Sequence, residues 1–146
     1  MVKIRRYEDK DFEEVLLMYY DLATMLYNNH NIKPIEDFKQ NVENWIIWDY
    51  DIMLTYNNDE VTGFTLCYFD NMGGIVDYFY QFEIAYIKEK YRKGRSAIAM
   101  YNHIVNYAQD KGMILAANAS DLTDASILCS KLGTKTYTHY ERKPND

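Results

Sequence analysis

Proline is almost missing from this chain, with Pro34 and Pro144 its only two, and no repeat, low-complexity segment or flexible linker interrupts it. One domain spanning residues 1–146 is therefore expected, since a chain of this length buries roughly two-thirds of its unfolded surface around a single core. Long apolar runs are missing too. Ile52–Leu54 and Met113–Ala117 fall far short of the ~20 residues a bilayer-spanning helix needs, and Met1–Tyr7 is not a signal peptide. The expectation is a soluble protein of the cytoplasm, with no membrane partner. Cysteine is scarce: Cys67 and Cys129 allow one bridge at most, show no redox or zinc spacing, and are read as reduced. The three histidines, at 30, 103 and 139, have no ligand spacing, so no metal is expected. Positive charge is outnumbered, 16 basic residues to 22 acidic for a net charge of −6, which argues against a nucleic-acid partner.

What is abundant is apolar and aromatic side chain. At 48% hydrophobic and 16% aromatic the chain has the burial that a disordered segment lacks. Val2–Arg6 alternates as a strand, β1, and Asp9 or Asp11 caps a helix, α1, whose apolar positions Phe12, Val15, Leu16, Tyr19, Leu22, Ala23 and Leu26 recur at three and four. After a polar break at Tyr27–Lys33, Pro34 opens α2, with Phe38, Val42, Trp45 and Ile46 on one face. Asp51–Tyr56 and Val61–Phe69 pair as a hairpin, β2 and β3, about the turn-forming Asn57-Asn58-Asp59. Ile75–Ile87, rich in β-branched and aromatic residues, reads as a long β4 with room for a bulge. Ser96–Lys111 switches to helical period as α3, closed by Gly112. Met113–Ala119 is an apolar strand, β5, expected to be covered on both faces. Asp121 or Thr123 caps a short helix ending at Gly133, and Lys135–Arg142 alternates as a last strand. The order β-α-α-β-β-β-α-β-α-β predicts an α/β (α+β) fold, a central mixed sheet flanked by about four helices, with a parallel crossover from β4 through α3 to β5.

The sharpest local feature lies between Lys88 and Arg95, where five of eight residues are basic in an otherwise acidic protein. Such a run is commonly a solvated loop. Here it falls where a strand ends and a helix begins, with Gly94, Ser96 and Ala97 at the helix entry, so backbone N–H groups and the helix dipole would face an anion, most naturally a pyrophosphate.

Glu83-Ile-Ala-Tyr-Ile-Lys-Glu-Lys-Tyr-Arg-Lys-Gly-Arg-Ser-Ala97 resembles motif A of the GNAT family of N-acetyltransferases, in which β4 ends in a turn of form Arg/Gln-x-x-Gly-x-Gly/Ala. Arg92 and Ala97 match its ends, while Arg95 stands where Gly is usual and Gly94 lies one place earlier. The element order, the opening Ile4-Arg-Arg and the closing Ala125–Gly133 segment extend the resemblance over nearly the whole chain. Some phage-borne members carry a similar Arg-rich turn, which raises a phage or prophage origin.

The resemblance implies acetyl-CoA as cosubstrate, without a metal, in a cleft where β4 and β5 splay, and an amine acceptor, small molecule or peptide, attacking the thioester directly. It places pantetheine on the backbone of Tyr86 and Ile87 and pyrophosphate at Arg92, Lys93, Gly94, Arg95, Ser96 and Ala97. Strand alternation puts Glu83 and Gln81 on one face with Ile87, so Glu83 is the candidate base, or else a partly exposed strand carboxylate. The family's general-acid tyrosine falls at Cys129, a small buried hydrophobe on the bland reading, and Tyr137 or Tyr140 is the substitute. Asn118, Ser120 and Asp121 either line the cleft or cap the next helix. The acidic surface favours a cationic amine, the missing tyrosine raises a catalytically impaired binding protein as the alternative, and the 15 tyrosines are compatible with a homodimer.

Overall fold

The computed structural model describes residues 1–27, 31–70 and 79–117. The predicted last helix and last strand lie outside them. Within them the elements run β1 (Val2–Arg6), α1 (Phe12–Tyr27), α2 (Ile35–Ile47), β2 (Asp51–Asn57), β3 (Glu60–Asp70), β4 (Phe79–Ile87), α3 (Ser96–Asp110) and β5 (Ile114–Ala117). One sheet has the order β1-β2-β3-β4-β5. Its first four strands are antiparallel, and β5 joins β4 parallel through the crossover helix α3.

Local chemistry accounts for most boundaries. Asn58 and Asp59 form the two-residue β2–β3 turn with φ of 49° and 69°, the doubly positive pair that suits the twist of a hairpin and that Asn and Asp tolerate. Gly112, at φ +64°, ends α3: its N–H donates to the Gln109 carbonyl and that of Met113 to Ala108, the Schellman arrangement. Asp11 decides the start of α1. Its carboxylate takes both Arg5 guanidinium nitrogens, at 2.6 and 2.8 Å, and the Glu8 N–H at 2.9 Å, so a 3₁₀ turn at Asp9–Asp11 leads into the helix.

The hydrogen bond from Arg5 holds the Asp11 carboxyl below the usual carboxylate range, with burial opposing. A depressed folded-state pKa stabilises above the unfolded value, about 4, and that stabilisation disappears as pH falls through the lower folded value. Asp11→Asn is thus expected to cost about 2 kcal/mol near neutral pH, with the gap to wild type shrinking below about pH 4 in urea titrations.

Two apolar clusters sit on opposite faces of the sheet. Val15, Leu16 and Met18 of α1 and Phe38, Val42 and Trp45 of α2 pack on Leu54, Phe64, Leu66 and Tyr86. Ile104 and Ala108 of α3 pack on Cys67, Tyr80 and Phe82. Ile46, expected on the buried face of α2, is exposed, because burial there follows the 38, 42, 45 spacing instead. In β5, expected to be covered on both faces, Leu115 and Ala117 meet the second cluster while Ile114 is exposed.

Bulges in β3 and β4 shape everything that follows. Thr55 opposes Gly63 and Tyr56 opposes Val61, which leaves Thr62 as an extra residue. Leu66 opposes Ile84 and Cys67 opposes Phe82, which leaves Glu83 as the extra residue of β4. The second bulge reverses the alternation: Tyr80 and Phe82 face α3, whereas Ile84 and Tyr86 face α1 and α2.

Candidate functional site

From Ile87 the chain passes through a 3₁₀ turn at Glu89–Tyr91 and enters α3 at Ser96. Tyr91 N–H donates to the Lys88 carbonyl at 2.8 Å and Gly94 N–H to that of Tyr91 at 3.0 Å. The first helical bond runs from Ala99 N–H to the Arg95 carbonyl at 3.0 Å. The amides of Ser96, Ala97 and Ile98 therefore precede the intrahelical ladder, and Arg95, at the N-cap, contributes no side-chain cap. Three donors at the positive end of a 15-residue helix form an anion cradle. Arg95 has φ −91° and ψ 0°, a conformation open to any L-residue, so arginine in place of the expected glycine strains nothing.

The structure divides the five basic residues. Lys88 pairs with Glu14 of α1, and Lys90 with Glu60 at 2.6 Å. Arg92 folds back: its Nε donates to the Ile87 carbonyl at 2.9 Å and its guanidinium lies 5.5 Å from the Tyr86 ring centre. Lys93 and Arg95 are exposed, flank the cradle, and have no ion pair among the described residues. The run that reads as one basic patch is thus two free cations beside the amides and three engaged in fixing the turn. An open groove of about 740 Å³ adjoins this end between α1 and the β4 terminus, but Glu14, Asp21 and Glu89 line it together with Lys88 and Lys90. Its mixed charge sets it apart from the cradle.

Residues that the sequence did not single out hold α3 in place. The bulge turns Thr62 inward, where its hydroxyl donates to Thr55 Oγ1 at 2.9 Å and lies 2.9 Å from Ser96 Oγ, all three buried. Next to it, Gly63 lets helix and strand approach: a Cβ there would stand 2.4 Å from the Tyr86 carbonyl oxygen and 2.8 Å from Met100 Cε. A threonine in a strand and a glycine after it are ordinary in sequence, so only the bulge register reveals the pair.

The edge of β4 corrects two expectations. Lys88 N–H donates to the Thr62 carbonyl, so ladder alternation turns the backbone groups of Lys88, Tyr86 and Ile84 toward β3 and those of Ile87 and Ala85 toward the β5 side. Tyr86, expected to share that edge with Ile87, instead has its N–H and carbonyl in the β3–β4 ladder. Exposed Ala85 takes its place. Among the described residues β5 reaches β4 only over Phe79–Phe82, so no strand pairs with the edge at Ala85 and Ile87, where the Ile87 carbonyl accepts from Arg92 Nε. The shared face of Gln81, Glu83 and Ile87 is also lost, because the Glu83 bulge leaves Gln81 opposite Tyr68 on the α1 and α2 side and Ile87 opposite Gly63 on the α3 side. Glu83 itself is exposed at the bulge, where the Tyr68 hydroxyl donates to its carboxylate at 3.5 Å. Burial, and then the Glu83 charge, push the Tyr68 phenol up to about 12, so it remains a donor at neutral pH.

Cys129, Tyr137, Tyr140, Asn118, Ser120 and Asp121 lie outside the described residues. Cys67 is a free, buried thiol pushed up to about 12 by burial, which makes it an unreactive core residue. Among the described residues no cluster of three or more His, Cys, Asp or Glu could hold a metal, and no helix is long and apolar enough to cross a membrane.

Solved structures share this architecture over almost their full length. A possible acetyltransferase from Clostridium difficile 630 superposes with a TM-score of 0.78 at 14% identity, covering 98% of this chain and 97% of that one. The fold is that of the GNAT acetyltransferases. A predicted acetyltransferase from Clostridium acetobutylicum, solved with acetyl-CoA, matches at TM-score 0.74 and 14% identity over 98% and 96% of the two chains. A GNAT family acetyltransferase from Staphylococcus aureus matches at TM-score 0.68 and 14% identity over 97% of each. No family model and no curated protein matches the chain. These neighbours are bacterial, and the comparisons lend no support to a phage or prophage origin.

Proposed function

We propose that this chain, as one domain over residues 1–146, is an acetyl-CoA-dependent N-acetyltransferase that transfers the acetyl group to a primary amine by direct attack. The observation that carries this reading is the cradle of Ser96, Ala97 and Ile98 amides, flanked by Lys93 and Arg95, at the end of a strand whose next edge groups belong to Ile87 and Ala85. Diphosphate on the amides and pantetheine along that edge follow one another in the order that CoA itself has. The GNAT fold, and a neighbour solved with acetyl-CoA, support it.

Along the same line the thioester reaches Glu83. Its carboxylate takes a proton from the acceptor ammonium, directly or through one water, so that the neutral amine attacks the thioester carbonyl, and the bulge releases backbone groups from the ladder that can donate to the developing oxyanion. The C–N bond forms first, the adduct loses its second N–H proton to solvent, and as the C–S bond breaks the departing thiolate takes a proton from Cys129, or from Tyr137 in its place.

Acetyl-CoA at a hundred times its Kd is expected to stabilise the protein by about 2.7 kcal/mol. Free CoA thiol should then appear when a primary amine is added. Absence of both heat and stabilisation in millimolar acetyl-CoA or CoA overturns the proposal.

A further inference from the structure

The α2–β2 turn and the far end of β3 carry a run of aromatic rings that ends at Glu83. Trp48, 58% exposed, lies 5.5 Å from the Tyr50 ring at a 53° tilt, and Tyr50 stacks on Tyr68 at 4.7 Å and 19°. The Tyr68 hydroxyl meets the Glu83 carboxylate, and the Asp70 charge also reaches that phenol. The cradle, Ile87, Ala85 and Glu83 follow one another along β4, and at Glu83 the ring run turns across the sheet, over Tyr68 of β3 to Tyr50 at the start of β2 and Trp48, away from β5. Exposed tryptophan at one end, stacked tyrosines in the middle and negative charge at the other match a ligand with an apolar body and one cationic head.

We infer that the Trp48–Tyr50–Tyr68 run with Glu83 binds the acceptor, and that the acceptor is a monoamine with an aromatic or alkyl body. This rests on the transferase reading for the role of the amine, though not for its binding. The carboxylate that meets the ring run directly is that of Glu83, through the Tyr68 hydroxyl, and it sets the cationic head at that end with the body along the rings.

Trp48 reports on the site directly. The chain has two tryptophans, and Trp45 is buried, so an amine-dependent change in emission that Trp48→Phe abolishes belongs to Trp48. Phenethylamine and hexylamine, neither of which absorbs with tryptophan, should give a saturable change in wild type, with a midpoint about tenfold below that of spermidine or a lysine peptide. Glu83→Gln, at an exposed position, should raise the midpoint for phenethylamine about tenfold while the acetyl-CoA Kd stays within twofold. No saturable response to either monoamine, or tighter binding of spermidine or the peptide, overturns the inference. If acetyl-CoA binds and Trp48 gives no response, the acceptor site falls and the transferase reading stands. A monoamine response in a protein that binds no acetyl-CoA has the reverse meaning.

Discussion

Gly63→Ala is expected to lower the stability of this protein by about 3 kcal/mol and its melting temperature by roughly 10 °C, and to cost acetyl-CoA affinity in whatever remains folded. The added Cβ would lie 2.4 Å from the Tyr86 carbonyl oxygen, 2.8 Å from Met100 Cε and 3.1 Å from Thr55 Oγ1. Met100 can turn aside, but the carbonyl is backbone, and it moves only if β3 parts from β4. That separation disturbs the ladder directly before Ile87 and strains the Thr62 to Ser96 contact that seats the first turn of α3. Gly94→Ala is the matched control. Its Cβ would be 3.3 Å from the Tyr91 carbonyl with no left-handed φ to lose, so a change under about 1 kcal/mol is expected by calorimetry. Equal effects of the two alanines would mean that α3 does not sit on Gly63 as described.

The second large effect is on binding rather than folding. Reversing both free cations, Lys93→Glu with Arg95→Glu, should weaken CoA by about 3 kcal/mol, on the order of a hundredfold in Kd, because two exposed charges that screen a diphosphate now repel it. Both side chains are exposed, without an ion pair among the described residues, so the melting temperature should shift little. S-acetylpantetheine, which has no diphosphate, should bind wild type and variant alike. The wild-type advantage should also shrink as salt rises, since exposed charges are screened over about 10 Å at 0.1 M. Comparable losses for CoA and S-acetylpantetheine would place the effect on the fold instead of the phosphates.

Much of the architecture was legible because period and punctuation agree. Gly112 at φ +64° and the Asn58-Asp59 turn stand where their chemistry predicts, and the strand-to-helix junction at Ser96 begins at the expected residue. Side-chain direction along β4 was not legible. Alternation is a rule of uninterrupted strands, and one extra residue at Glu83 moves Gln81 and Ile87 to opposite faces, while the open backbone edge falls to Ile87 and Ala85, and not Tyr86, by alternation counted from the Lys88 bond to Thr62. The division of the basic run was equally hidden. Nothing near Lys88 and Lys90 in sequence announces Glu14 and Glu60 as their partners, since both come from other elements. Tyr68, one of 15 tyrosines, gains its meaning only from the strand that brings it to Glu83.

The cradle itself is the most direct place to look. In amide-resolved nuclear magnetic resonance of the ¹⁵N-labelled protein, saturating CoA should shift the Ser96, Ala97 and Ile98 amides most, with those of Ala85 and Ile87 next. S-acetylpantetheine should move only the Ala85 and Ile87 pair. Resonances at 96 to 98 that stay in place while CoA saturates the protein would contradict a diphosphate site at the start of α3.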